Sequence, residues 1–270
     1  MLRTRVMPCL LLERGRLVKT VMFQQPSYVG DPINAVRIFN DKEVDDLLLL
    51  DIGASEHGLP IALDLIERIA SECFMPITYG GGIRTTEQIR AVLAVGVEKV
   101  ALNRMAFDNP SLVTLAAEQF GSQSIVVSMD VRQSLLRGHE VYVDRGRRAT
   151  GADPAAYAAR MQRLGAGEIL LNSITRDGTM KGYDVHLIQK VSKAITLPLI
   201  VCGGAGRVEH FADAVAHGAT AVAAGSMVVY QGPQRGVLIS FPPREELVRA
   251  ILPVEKIAGE SDPTNSGNAL

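Results

Sequence analysis

Cysteine is scarce in this chain, and the few cysteines present show no pattern of pairing. They lie at Cys9, Cys73 and Cys202, without Cys-X-X-Cys spacing. An odd number without that spacing argues against a disulfide framework and against a zinc site. The five histidines show no metal-ligand spacing either. We therefore expect a cytoplasmic protein in a reducing compartment, with no metal and no other cofactor.

The chain also lacks an excess of charge and a long apolar run. Lysine and arginine total 28 against 29 aspartate and glutamate residues, so the formal net charge is −1. A chain with this balance has no overall excess of positive charge that would attract nucleic acid. No stretch approaches the roughly 18 apolar residues of a membrane span. The apolar run from Val6 to Leu12 lacks a small-residue cleavage site, so it predicts a strand rather than a signal peptide.

Short apolar runs alternate with amphipathic stretches along most of the chain. Hydrophobic residues make up 47% of it, which is enough for a large core. Runs that are apolar throughout are typical of strands buried on both faces, and their alternation with helices predicts a (βα)8 TIM barrel. An open doubly wound sheet is the alternative. The predicted strands are Arg5–Leu11, Asp46–Asp51, Pro76–Tyr79, Lys99–Leu102, Ser124–Met129, Glu168–Asn172, Leu199–Cys202 and Ala221–Ala224.

Two segments depart from this alternation. Glu140–Asp144 has the composition of a strand and precedes a turn-rich stretch, which predicts a small hairpin inserted after strand five. The segment after Pro253 is polar and rich in glycine, serine and asparagine, a composition typical of disorder. We therefore expect one barrel domain over residues 1–252 and a disordered tail over residues 253–270.

The two halves of the chain resemble each other. The segment PITYGGGIR at residues 76–84 is similar to PLIVCGGAG at residues 198–206. In each half a helix, a further glycine and another strand follow at matching positions. Self-similarity of this kind predicts two half-barrels of four βα units each.

Glycines follow several predicted strands at the points where helices begin. Backbone N–H groups are unpaired there, the helix dipole favours an anion, and glycine lets an oxyanion approach the backbone. Tight βα turns are the other common use of such glycines. Because the pattern repeats in both halves, it predicts two phosphate-binding cradles and a ligand with a phosphate at each end. The first cradle comprises Gly81, Gly82 and Asn103, and the second comprises Gly203, Gly204, Gly225 and Ser226.

Three aspartates lie at or just after the carboxyl ends of predicted strands, where barrel enzymes perform their chemistry. Asp130 ends an unbroken apolar strand, so burial should raise its pKa into a range useful for general acid–base catalysis. Asp177 and Gly178 form a good turn, and we expect them to contact the ligand, as we do Asp51. Helix capping or loop bracing is the alternative role for such aspartates.

Sequence motifs throughout the chain resemble one family. From Arg5 to about Ser226 the chain resembles HisF, the cyclase subunit of imidazole glycerol phosphate synthase. The matching segments include Met7-Pro8-Cys9-Leu10, Gly30-Asp31-Pro32, Gly80-Gly81-Gly82-Ile83-Arg84, Phe120-Gly121-Ser122-Gln123, Arg176-Asp177-Gly178-Thr179, Gly203-Gly204-Ala205-Gly206 and Glu209-His210-Phe211.

The resemblance implies a mechanism. A glutaminase subunit docked at the N-terminal face of the barrel supplies ammonia, which passes along the barrel axis to a bisphosphorylated ligand at the mouth. Two aspartates act there as general acid and base. Asp130 matches one of them, whereas the position of the other is occupied by Leu11. Because leucine can neither donate nor accept a proton, we expect little cyclase activity.

Further positions bear on the resemblance. Arg104 replaces a small residue beside the first cradle, where it either adds donors for phosphate or blocks the family's substrate. Asn172 stands where the family usually has threonine, and Lys19 is expected to contact the ligand.

Charged residues match those that surround the ammonia path at the opposite face of the family's barrel. By resemblance they are the ammonia gate and partner interface, although a solvated ring of surface ion pairs is the alternative. These residues are Arg5, Asp46, Glu98, Lys99 and Glu168.

Three functions remain open. One is a working cyclase of histidine biosynthesis. Another is a divergent relative that delivers ammonia to a sugar amidotransferase for an acetamidino sugar in lipopolysaccharide biosynthesis, which Leu11 and Arg104 favour. A phosphosugar isomerase or aldolase is the third, although no strand-end lysine suits a Schiff base. No cysteine lies in a nucleophile elbow, so the glutaminase is expected to be a separate chain.

Overall fold

The computed structural model describes residues 4–54, 60–134 and 138–260. Within these residues, eight parallel strands close into a barrel, because β7 pairs with β10 and β1 pairs with β12. The predicted TIM barrel is confirmed, with strand ends that shift by a few residues. The barrel strands are β1 (Arg5–Glu13), β4 (Leu47–Asp51), β5 (Ile77–Gly80), β6 (Lys99–Leu102), β7 (Ile125–Ser134), β10 (Glu168–Ser173), β11 (Leu199–Cys202) and β12 (Ala221–Ala224).

The remaining strands form hairpins. The predicted insertion after the fifth barrel strand is confirmed, since β7 pairs antiparallel with β8, although residues 135–137 lie outside the described part. A hairpin that we did not predict occupies the equivalent place in the first half-barrel, where β1 pairs antiparallel with β2. The hairpin strands are β2 (Arg16–Val21), β3 (Gln24–Gly30), β8 (Gly138–Val143), β9 (Arg148–Ala149), β13 (Tyr230–Gln231) and β14 (Gly236–Val237).

Helices cover the outside of the barrel, and Asp-Pro pairs begin two of them. The carboxylates of Asp31 and Asp153 each accept two backbone N–H bonds in the first turn, and the following proline has a φ angle suited to that turn. The helices are α1 (Pro32–Asp41), α2 (Leu63–Glu72), α3 (Thr86–Ala94), α4 (Arg104–Asp108), α5 (Ser111–Phe120), α6 (Pro154–Arg163), α7 (Val185–Ser192), α8 (Glu209–Ala216), α9 (Ser226–Val229) and α10 (Arg244–Glu260).

Helix α10 crosses the predicted domain boundary. Residues 253–260 are helical rather than irregular, and Pro253 lies inside the helix. Leu247 and Ile251 are buried, and the helix packs against α8, so its apolar side holds it on the barrel. The rest of the predicted tail, residues 261–270, lies outside the described residues. No helix of the described part is long and apolar enough to cross a membrane.

The barrel interior is a separate apolar cluster. Alternate residues of each strand point inward, so each strand contributes a few side chains to it. Several of these side chains are small, including Ala101, Ala221 and Ala223, and Cys9 and Cys202 also lie there. This interior separates the amino ends of the strands from the mouth at their carboxyl ends.

Candidate functional site

One cavity at the carboxyl ends of the barrel strands contains the residues predicted for the mouth. Since every strand of a parallel barrel ends at the same face, residues distant in sequence meet there. The cavity is lined by Leu11, Lys19, Asp51, Gly81, Gly82, Asn103, Arg104, Asp130, Asp177, Gly178, Gly203, Gly204, Gly225 and Ser226, among others.

The glycine pairs of the two half-barrels adopt related backbone conformations. Gly81 and Gly203 have φ angles of +137° and +90°, and Gly82 and Gly204 have φ angles of +70° and +123°. A Cβ at Gly81 would lie 2.4 Å from the carbonyl oxygen of Asp51. Packing is therefore enough to explain why these turns contain glycine. A phosphate site at these turns needs support from a separate observation.

Ser226 provides that observation. It is the first residue of α9 and is buried, and its hydroxyl has no hydrogen-bond partner among the residues that the structure describes. A Cβ at the neighbouring Gly225 would lie 2.9 Å from Cε of Lys19, so the lysine stem passes close to the second cradle. A buried hydroxyl and a nearby cation fit an oxyanion there.

Asp130 lies on β7 and is buried in the mouth. Its Oδ2 accepts a hydrogen bond of 3.1 Å from the side-chain amide of Asn103, which also donates to the carbonyl oxygen of Ser128. Burial raises the pKa of Asp130 to about 7, helped by Asp177 and opposed by hydrogen bonds from Asn103 and Asn172. Asp130 can therefore take up or release a proton near neutral pH, as a general acid or base must.

We expect Asp130→Asn to stabilise the folded chain at high pH. Because folding raises this pKa, the carboxyl contributes stability in acid that is lost as the pH rises through about 7. Asparagine keeps an acceptor for Asn103 and never ionises. Its free energy of unfolding should match that of wild type near pH 4 and exceed it by on the order of 4 kcal/mol at pH 8. Urea unfolding at both pH values checks this, and an equal difference at both would contradict it.

Asp177 pairs with Lys19. Lys19 Nζ lies 2.8 Å from Asp177 Oδ1, and the hydroxyl of Thr20 donates to Oδ2 at 3.0 Å. A Cβ at Gly178 would lie 2.4 Å from the carbonyl oxygen of Thr20, so the loop after β10 closely approaches the β2–β3 hairpin. The pair thus fastens the β2–β3 hairpin to the loop after β10, and it holds a buried lysine beside the second cradle.

Asp51 braces a loop. Its Oδ1 accepts hydrogen bonds of 2.9 and 3.0 Å from the backbone N–H groups of Gly53 and Ala54. This is the loop-bracing role that we considered from the sequence, and the side chain also lines the mouth.

Arg104 belongs to a network of four charged residues. Its guanidinium contacts Asp108 at 2.9 Å and Asp144 at 3.3 Å, and Arg148 contacts the same two carboxylates at 2.6 and 2.9 Å. About half of the Arg104 side chain is exposed. The network joins α4 to the hairpin inserted after β7, so two carboxylates already occupy donors of Arg104.

Leu11 lies on the mouth side of β1, in register with Leu50 of β4. It is half-buried and lines the same cavity as Asp130. The cavity also contains Asp51 and Asp177, but hydrogen bonds hold both as described above. The resemblance implies a second catalytic aspartate at the position of Leu11, and the side chain there is apolar.

At the opposite end of the barrel, four charged side chains form a continuous chain of ion pairs. Arg5 contacts Asp46 at 2.9 Å and Glu168 at 2.8 Å, and Lys99 contacts Glu168 at 2.7 Å. Burial raises the pKa of Asp46 to about 6, against the opposing effect of Arg5 and Lys99. Glu98 directly precedes Lys99 in the chain, is exposed, and takes no part in these ion pairs.

Some site residues escaped sequence reasoning. Phe23, Asp144 and Arg145 line the mouth from hairpin turns. The Asp-Arg-Gly sequence at 144–146 signals a turn, but nothing local shows that this turn bends over the mouth. Among the described residues, no group of three or more histidine, cysteine, aspartate or glutamate side chains could hold a metal ion.

Comparison with known proteins agrees with this geometry. The model of a family described as histidine biosynthesis protein matches residues 5–233. The chain belongs to this family. It is 48% identical over 243 residues, 90% of the chain and 97% of the relative, to a Pseudomonas aeruginosa protein provisionally named imidazole glycerol phosphate synthase subunit hisF2.

Other relatives extend the comparison. A Vibrio vulnificus protein provisionally named subunit hisF3 is 47% identical, over 93% of this chain and 97% of its own length. A subunit HisF from Alkaliphilus metalliredigens is 44% identical, over 81% of this chain and 86% of its own. The resemblance to HisF is therefore confirmed, and the chain is a HisF-like barrel.

Proposed function

We propose that this HisF-like chain receives ammonia from a glutaminase partner and conducts it along the barrel axis. At the mouth it binds a bisphosphorylated ligand, but it does not perform the family's cyclisation at an appreciable rate. The observation that carries this is Leu11, which lines the mouth with Asp130 where the resemblance implies a second catalytic aspartate. Loss of one acid–base partner typically removes about 10²- to 10⁴-fold in rate.

The order of the layers along the barrel supports a path for ammonia. The charged ring around Arg5 lies at one end, the interior with its small alanine side chains comes next, and the mouth with Asp130 lies at the other end. We propose that the glutaminase docks at the face that carries these ion pairs, and that the exposed Glu98, next to Lys99 in the chain, contacts it.

The cysteines support a separate glutaminase. Burial raises the pKa of the Cys73 thiol to about 11, and contact with Cys9 together with burial raises the pKa of Cys202. A nucleophilic cysteine needs a lowered pKa and access to substrate. The names of the relatives also describe them as subunits, which fits an enzyme of more than one chain.

The second phosphate cradle gives a direct test. We expect Ser226→Ala to weaken the binding of inorganic phosphate about tenfold or more, because a hydrogen bond to a charged group contributes about 1.5 to 3 kcal/mol. Stability should not fall, since the hydroxyl has no partner among the described residues. Isothermal titration calorimetry measures the affinity. Ser71→Ala, on the exposed side of α2, is the matched control, and equal affinities in both variants would count against the cradle.

For the acceptor, we propose an acetamidino sugar made with a sugar amidotransferase during lipopolysaccharide biosynthesis in the cytoplasm. Leu11 and the Arg104 network both alter the inherited mouth, which supports a different acceptor. The names hisF2 and hisF3 carried by two relatives are consistent with chains that exist beside another HisF.

An active cyclase of histidine biosynthesis is the second candidate. The raised pKa of Asp130, about 7, favours it because one general acid–base group is still poised. Turnover of the histidine-pathway bisphosphate with an ammonium salt separates the two. We expect the wild-type chain to show at most about a hundredth of the rate of a HisF with both aspartates. A comparable rate would overturn our proposal.

A further inference from the structure

A second cavity lies beside the mouth, between the two hairpin turns that border it. It is lined by arginine side chains from both hairpins, together with aromatic and amide side chains of β3 and its turn. We call it the arginine cavity and define it by Arg14, Arg16, Arg145, Arg147 and Glu13. Nothing in the proposed ammonia path uses this cavity.

Among the described residues, arginines outnumber acidic side chains in the lining of the arginine cavity. Among the lining residues that the structure describes, Glu13 is the acidic side chain, and it contacts Arg145 at 3.4 Å. Arg14 and Arg16 are exposed, and the structure gives neither a carboxylate partner among the described residues. Since the whole chain has a net charge of −1, this local excess of positive charge is not a property of the surface in general.

The backbone holds two of these arginines in uncommon conformations. Arg14 and Arg145 have φ angles of +51° and +57°, in the left-handed region. Asparagine, aspartate and glycine are the residues that hairpin turns normally place there, and another L-residue costs about 1 kcal/mol. Strained residues persist where the surrounding structure enforces their conformation, and they cluster at ligand sites, although several other non-glycine residues of this chain, including Met22 and Phe23, also have positive φ angles.

The arginine cavity borders the mouth. Phe23 and Arg145 line both cavities, so the two cavities are adjacent and these two side chains lie between them. Small-molecule sites are concave and combine apolar surface with a few convergent polar groups, which describes the mouth, whereas the arginine cavity is lined mainly by charged and amide side chains.

We propose that the arginine cavity binds an oxyanion of the diphosphate class. Arginine guanidinium groups present paired N–H donors that match phosphate oxygens, and several of them together match an anion with several charges. Binding of the free anion does not depend on the proposed function. We also propose that this anion is a second charged part of the ligand held in the mouth, and this second claim rests on the proposed function.

The test uses inorganic pyrophosphate and the full chain. Backbone N–H signals in a ¹⁵N NMR titration separate the sites, because Gly15 and Gly146 lie in the hairpin turns and Gly204 lies in the second cradle. We expect saturable shifts at both hairpin glycines. The double change Arg14→Gln/Arg147→Gln should weaken binding there at least tenfold, while the response at Gly204 remains. Arg68→Gln, exposed on α2, is the matched control and should change neither response.

Each outcome bears on one proposal. Absence of saturable shifts at Gly15 and Gly146, as expected if the cavity instead contacts an acidic protein, would overturn the arginine cavity. An unchanged affinity in the double variant would do the same. A response at the hairpins without one at Gly204 would support the arginine cavity and contradict the phosphate cradle of the proposed function.

Discussion

Leu11→Asp should raise the ammonium-dependent turnover of the histidine-pathway bisphosphate about 10²-fold over the wild-type chain. The change places a carboxylate on the mouth side of β1, in the cavity that contains Asp130. A second positioned acid–base group typically contributes 10²- to 10⁴-fold, and we expect the low end because the neighbouring Leu50 offers no polar support. Steady-state rates with saturating ammonium salt measure the gain without the glutaminase.

Leu11→Asn is the matched control for this gain. Asparagine has nearly the same shape as aspartate but does not exchange a proton near neutral pH, so it should leave the rate at the wild-type level. A gain in both variants would show that polarity rather than proton transfer matters. No gain with aspartate would show that other features of the mouth exclude the substrate, for which the network around Arg104 is the first candidate.

The second large effect concerns the fold of the cradle. We expect Gly204→Ala to lower the free energy of unfolding by on the order of 4 kcal/mol, because two costs combine. A Cβ there would lie 2.2 Å from the carbonyl oxygen of Gly182, and backbone at this position has little room to move. The φ angle of +123° is one that alanine rarely adopts. Urea unfolding followed by circular dichroism measures the change.

Gly151→Ala separates the two costs. Gly151 also has a positive φ angle, +75°, but a Cβ there would meet nothing within 4 Å. We therefore expect a loss of only about 1 kcal/mol from backbone strain. Similar losses at both positions would show that the close approach to Gly182 contributes little.

Sequence alone determined the barrel and most of the mouth. Buried strands carry runs of apolar residues, so their periodicity is visible along the chain, and a parallel barrel brings all carboxyl ends to one face. Asp130 and the glycines of both cradles could therefore be placed together before any distance was known. Leu11 was likewise visible as a departure, because a missing carboxylate is a matter of residue type.

Only the tertiary structure decided how the side chains pair. The β2–β3 hairpin escaped prediction, and so did the pairing of Lys19 with Asp177, which lie far apart in sequence. Arg104 could not be assigned because one of its two carboxylate partners, Asp144, lies on a different loop. Such pairings depend on distances between separate elements, which hydrophobic periodicity does not encode. For the same reason the arginine cavity, assembled from two hairpin turns, becomes visible only once the barrel has closed.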